Sequence, residues 1–241
     1  MLSHVVAMAR AARVEHRVVV VHADLGRVEW PGTKELVLEQ ARAFGVKCVV
    51  VTRRQGDLLT HVERYGRWPT PSTRYCTADH KRQQIHRALT ALALECRGAG
   101  GAGPVRILNC VGLRSEESVA RAKRHAFSRD RRCSSRRKSV DVWLPIQAWP
   151  ASQVWEVCRS SGAPMHPAYA AGLPRASCVF CIYAPEEALR QAGRHNPGLL
   201  AEYVRVERTI GHAFKHRLSL ATVAEDLAAG VEPRPVANWE M

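Results

Sequence analysis

Cys178-Val-Phe-Cys181 places two thiols three residues apart, in a stretch rich in proline and glycine. Thiolates at i and i+3 of a loop can both face one metal. Such a pair can equally serve as a redox dithiol or as two plain buried cysteines. Ser72-Thr-Arg-Tyr-Cys76 offers a third thiol far upstream. Two other groups suit phosphate. In His22-Ala-Asp-Leu-Gly26 a carboxylate, Asp24, and a permissive Gly26 follow a β-branched run, with Thr33 at the next helix start. That arrangement suits a ribose or a Mg²⁺-bound phosphate, and it also suits an ordinary surface turn. Gly112-Leu-Arg-Ser-Glu-Glu-Ser118, with Arg121 three residues on, combines a glycine, an anion-pairing Arg114 and a helix start. Arg114 and Arg121 read as phosphate contacts in preference to surface charges.

These groups need a frame. Leu2–Ala12 is apolar at helical spacing, and Arg17–His22 is a short β-branched strand. Thr33–Phe44 reads as a helix with Thr33 as N-cap. Lys47–Val51 is a second strand, Asp79–Cys96 a long helix, and Val105–Val111 a third strand. Strands alternating with helices predict βαβ units and a parallel sheet, which binds ligands beyond the carboxyl ends of its strands. The loops after His22, Val51 and Val111 are therefore the informative ones. Gly98 to Gly103 spells GAGGAG, a literal dinucleotide fingerprint. It follows a helix and precedes a strand, the reverse of the order that motif requires, so it reads as a connection. Beyond Ala151 the chain turns helical: Ala151–Ser161, Glu186–Ala192, Pro197–Phe214 and Leu220–Ala229.

Composition limits the classes. The 241 residues are 46% hydrophobic, enough for a core and far from disorder. No apolar run approaches the roughly 20 residues of a membrane span, and the opening lacks a secretory pattern. A cytoplasmic protein is expected. Lys and Arg exceed Asp and Glu by 36 to 22, a net charge of +14. Such a field attracts polyanions, although the arginine excess also fits a GC-rich codon bias. Arg121–Ser139 carries nine basic residues and one Asp. It reads as a solvated loop or as a flap over phosphates, tRNA or DNA.

Taken in order, HADLG…WPGT, STRYCTADHKR, GLRSEES..R, WLPIQAW…VW and HPAYAAGLPRASCVFC resemble the phosphoadenosine-phosphosulfate (PAPS) reductase family of the adenine-nucleotide α-hydrolase-like superfamily. The resemblance runs from the first residue to about Cys181. It implies a Rossmann-like α/β fold with a mostly parallel five-stranded sheet that handles ATP, PAPS or adenylyl sulfate (APS). By position Asp24, Gly26 and Thr33 match the first nucleotide motif. Arg74, Cys76 and Lys81 match the loop-helix element, and Gly112, Arg114, Glu117, Ser118 and Arg121 the phosphate-facing one. Lys81, Arg114 and Arg121 would stabilise phosphate charge. Iron–sulfur members take ligands from the Cys76-like segment and from the CxxC. The resemblance thus implies residues 1–182 as the nucleotide-binding domain and 183–241 as a helical extension.

The chain departs from the family in three ways. The family's phosphate loop, of Ser-Gly-Gly-Lys-Asp-Ser type on the first strand, would fall just before Met1, so either the true start lies upstream or the chain lacks that phosphate cradle. Sulfonucleotide reductases of the thioredoxin-dependent kind carry a C-terminal nucleophilic Cys, whereas the last cysteine here is Cys181. Cluster-bearing reductases have adjacent cysteines where this chain has Tyr75-Cys76, which leaves three matched thiols, Cys76, Cys178 and Cys181. A [4Fe–4S] cluster on three thiolates leaves one iron open. Similar sites in ATP-dependent tRNA-thiolation enzymes hold sulfide for transfer, and DNA phosphorothioation enzymes are a second such branch. ATP-dependent sulfur transfer is therefore the leading expectation, with a sulfur donor or reductant protein as partner. Sulfite-releasing sulfonucleotide reduction and a degenerate nucleotide or nucleic-acid binder are the alternatives. A structural zinc completed by His80, His166 or another cysteine competes with the cluster, and Cys158 and Cys133 are further candidates for the fourth ligand.

Overall fold

The computed structural model describes residues 1–98 and 103–236. Most of the GAGGAG connection therefore lies outside the described residues. Helix α1 (Leu2–Ala11) leads to β1 (Val19–Asp24), α2 (Thr33–Ala43) and β2 (Lys47–Thr52). α3 (Leu58–Tyr65) and the short α4 (Tyr75–Thr77) follow, and a π-helical turn over Ala78–Arg82 runs into α5 (Gln83–Gly98). Next come β3 (Val105–Cys110), α6 (Val119–Ala122), β4 (Phe127–Arg129), β5 (Lys138–Trp143) and α7 (Ala151–Ser160). The chain ends in helices: α8 (Pro167–Ala170), α9 (Glu186–His195), α10 (Pro197–Ile210) and α11 (Leu220–Ala228).

The architecture is α/β and mostly parallel, and the five strands among the described residues form two sheets. β1 pairs in parallel with β2, from Val19 opposite Lys47 to Asp24 opposite Thr52. β3 pairs in parallel with β5, and β4 adds antiparallel to β5. Among the described residues no strand joins β1 to β3. Helix α5 packs on β1, β2 and β3 and so spans both sheets.

Several local expectations needed correction. Thr33 is not an N-cap but the first residue of α2; Gly32 caps it with φ of 83°, which an L side chain rarely adopts. Part of the basic stretch taken as a loop forms β4 and the start of β5. The helix expected from Asp79 starts as a π turn. α3, which the periodicity reading passed over, has Asp57 as N-cap, accepting from the Thr60 amide at 2.9 Å.

The main core runs from Leu25 and Val28 through Leu59 and Val62 on α3 to Leu189 on α9 and Tyr203 on α10. The C-terminal helices thus share one apolar interior with the loops that follow β1 and β2. Glu207 of α10 is buried there. Its carboxylate accepts from the amides of Phe214 (2.5 Å), Leu220 (2.8 Å) and Ala221 (3.1 Å), tying the first turn of α11 to α10. A smaller cluster of Leu89, Cys133 and Val140 sits beneath α5 at the second sheet.

Candidate functional site

At the end of β1, Asp24 Oδ1 accepts from the Gly26 amide at 2.7 Å and turns the chain sharply. Gly26 has φ of 75°, and a Cβ there would fall 2.7 Å from that of Asp57, so only glycine fits. Asp57 is held by Arg27 at 2.7 Å. Burial pushes its carboxyl pKa up, but the Thr60 amide and Arg27 outweigh this and hold it below the usual range. Two residues before Asp24, His22 Nε2 lies 3.2 Å from Glu29.

Thr33 is committed inside the protein. Its hydroxyl donates to the Trp30 carbonyl at 2.7 Å and meets His166 Nε2 at 3.0 Å. His166 Nδ1 accepts from the Ala168 amide, so Nε2 carries the proton and donates to Thr33. His80, the other histidine offered for zinc, is buried on the π turn, 3.0 Å from His61. Neither histidine lines the thiol pocket described next.

Cys76, Cys178 and Cys181 line a single pocket, otherwise walled by apolar side chains that include Leu58, Trp68, Phe180, Tyr203 and Phe214. Cys76 reaches it from α4, while the CxxC arrives on the loop before α9, docked by a hydrogen bond from the Val179 amide to Val28. The three sulfurs do not all lie within 4.8 Å of one another. Four-coordinate zinc with its Zn–S bonds near 2.3 Å would draw its sulfurs to roughly 3.8 Å apart, whereas a cubane cluster holds its thiolates on separate corners. Lys81 extends from the π turn toward these thiols. Cys178 is the largest influence raising its pKa, with Cys181, Glu29 and Cys76 adding to it. Burial pushes the Cys76 and Cys178 thiols up. Cys133 and Cys158 lie elsewhere: Cys133 beneath α5, and Cys158 beside the chain's N-terminal amine and Tyr169.

Beyond β3, Gly112 packs against Met1, whose sulfur would lie 3.2 Å from an added Cβ. Glu117 gathers the following loop. It accepts from the Arg114 amide at 3.0 Å, pairs with Arg121, and lies 3.6 Å from Arg175. Arg114 itself bonds Glu116 at 2.7 Å and the Trp149 carbonyl at 3.3 Å. Ser118 caps α6 by accepting from the Arg121 amide. Burial draws the Arg175 pKa down while Glu117 raises it, and Arg175 also feels Cys181. Arg175 is thus set against the phosphate-type loop while standing three residues before Cys178 in the chain. Arg74 stands exposed at the start of α4.

The order of these elements along the chain matches the phosphoadenosine phosphosulfate reductase domain over residues 3–184. The chain belongs to that family. The match covers most of the chain and both the thiol-bearing and the phosphate-type segments, so membership makes this a nucleotide-using or sulfur-metabolism type of protein. It is also 25% identical over 173 residues to an uncharacterized 37.8 kDa protein in the gpa 5′ region of Escherichia phage 186. That overlap covers 71% of this chain and 49% of the phage protein, so the chain spans about half the length of the curated relative it matches. Among the described residues no helix is long and apolar enough to cross a membrane.

Sequence reasoning missed Glu29 and Arg175. Arg175 falls within a motif already singled out and Glu29 in the gap between HADLG and WPGT, and the contact of Arg175 is made with a partner distant in sequence. No spacing rule joins Arg175 to Glu117.

Proposed function

We propose that this family member uses an adenine nucleotide to activate its substrate and transfers sulfur to it from an iron–sulfur cluster on Cys76, Cys178 and Cys181. The observation that carries the reading is the convergence of three thiols, with no fourth among the described residues, on one apolar pocket beside a lysine. A cluster bound there would supply a sulfur-binding iron. The chain's own residues do the rest. Lys81 offsets the negative charge of the thiolates. Arg114 and Arg121 offer donors to a nucleotide phosphate, where charge-assisted hydrogen bonds are strongest. Asp24 and the Gly26 turn at the end of β1 are the residues toward which a ribose or Mg²⁺ would be directed. The acceptor is read as tRNA or DNA docked on the exposed arginines of the β4–β5 loop, with a separate protein renewing the sulfur.

Anaerobic purification with iron and acid-labile sulfide analysis tests this. The protein should be brown, each of Cys76→Ser, Cys178→Ser and Cys181→Ser should bleach it, and Cys48→Ser should not. A colourless protein with one zinc at these thiols and no sulfide would end the reading.

A further inference from the structure

Cys133, left over by the thiol pocket, lies in a second group of ligand-type side chains. His86 on α5 and Asp130 and Cys133 in the β4–β5 loop bring one nitrogen, one carboxylate oxygen and one sulfur within 4.8 Å of one another. His86 Nε2 and Asp130 Oδ2 are 3.1 Å apart. Asp130 and Cys133 stand at i and i+3, the separation at which two ligands of a tight loop can face one ion. The loop is shaped for it. Asp130 Oδ1 accepts from the amides of Arg132 and Cys133, both at 3.0 Å, and its other oxygen is left directed at His86. Cys133 is 3% exposed and Lys138, at the amino end of β5, is 7% exposed. The Lys138 ammonium donates to Cys133 Sγ at 3.3 Å and to Thr90 Oγ1 at 2.6 Å.

We propose that His86, Asp130 and Cys133 bind one zinc ion that clasps the β4–β5 loop to helix α5, separate from the Cys76/Cys178/Cys181 pocket. Imidazole, carboxylate and thiolate form a borderline donor set that suits Zn²⁺, with water as the fourth ligand. The charges balance: one carboxylate and one thiolate neutralise the ion. Lys138 then donates to the coordinated sulfur as an outer-sphere partner, the kind of contact that tunes metal affinity. A clasp also has a physical purpose here. The apolar cluster under this loop has only three buried residues, Leu89, Cys133 and Val140, and β4 is three residues long. Small cores of this kind gain most from a staple.

The probes are Zn²⁺ and Co²⁺ added to the full chain carrying Cys76→Ser, Cys178→Ser and Cys181→Ser, which removes the other thiol site. One equivalent of zinc should bind. Cobalt should show a thiolate charge-transfer band in the near ultraviolet, lost with Cys133→Ser. Lys138→Met should weaken binding by roughly 10–100-fold while keeping the band. No zinc binding, or binding unaffected by Cys133→Ser, overturns the proposal. If the triple variant does not fold, zinc is counted in the otherwise unaltered chain with and without Cys133→Ser. A drop of one zinc per chain at constant iron supports the clasp, and an unchanged count refutes it.

Discussion

Replacing Glu207 by Gln tests how the wall of the thiol pocket is held. The carboxylate has two oxygens and three backbone donors: Phe214 on one, Leu220 and Ala221 on the other. Glutamine keeps the shape but offers a single acceptor oxygen. In its better orientation the carbonyl keeps Leu220 and Ala221 and turns an NH₂ toward the buried Phe214 amide. One donor then lacks a partner, and the remaining two bonds lose their charge assistance. A hydrogen bond to a charged group contributes about 1.5–3 kcal/mol, and an orphaned buried donor costs a similar amount, so the expected loss is roughly 2–4 kcal/mol. For a chain of this size that corresponds to a fall in Tm of roughly 5–15 °C. Urea unfolding monitored by tryptophan fluorescence measures it directly. Trp68 stacks on Tyr203, one turn before Glu207, at 5.1 Å, and donates to the His212 carbonyl. Loosening should therefore change the native emission as well as the midpoint. A loss under about 0.5 kcal/mol with unaltered emission would show that apolar packing alone holds the pocket wall.

The remaining expectations concern the site directly. Arg114→Ala and Arg121→Ala should each weaken ATP or sulfonucleotide binding by roughly 1.5–3 kcal/mol in calorimetry. Glu117→Gln, which removes the carboxylate facing Arg121 and Arg175, should tighten it; unchanged affinity in all three would make these residues structural. Burial, ahead of the charge of Arg53, draws the His80 pKa down to about 4, so its neutral form belongs to the fold. The unfolded chain takes up that proton from about pH 6.5 downward, so stability should fall between pH 6.5 and 4, by up to roughly 3 kcal/mol. His80→Gln should flatten that slope, and an equally steep profile in the variant would refute the assignment. Arg131, Arg132, Arg136 and Arg137 are exposed, whereas Lys138 is buried and Arg129 pairs with Asp141. Replacing those four by Gln should reduce the slope of log K for tRNA against log salt by about 0.7 for each phosphate lost. Identical slopes would leave the loop merely solvated.

What was legible in the sequence follows the range of the forces involved. The β-branched run before Asp24 and the alternation of strands and helices are local, and they specified the α/β class. The CxxC and Cys76 could be read as a group only through the order of motifs, since no spacing rule spans the distance between them. α3 escaped because Leu58, Leu59 and Val62 make only a short apolar face, and its start depends on Asp57, which Arg27 and Gly26 hold from another segment. Glu117 was recognisable as part of a phosphate-type loop. Its place between Arg121 and Arg175 was not, because tertiary packing brings Arg175 to it. The separate location of Cys133 likewise depends on how the β4–β5 loop folds under α5.

The break between β1 and β3 bears on how the molecule behaves in company. Each of these strands has one side without a partner strand among the described residues, and a strand side outside any ladder is where a further strand can add. Amides on that side should exchange hydrogen with water faster than those facing β2 or β5. On β3, Leu108 is 50% exposed and Arg106, two residues before it on the same face, is an exposed charge of the kind that discourages pairing. At low ionic strength the net charge of +14 keeps copies apart. Added salt shortens the reach of that repulsion to about 8 Å at 0.15 M, so self-association should rise with salt, opposite to the trend for tRNA binding.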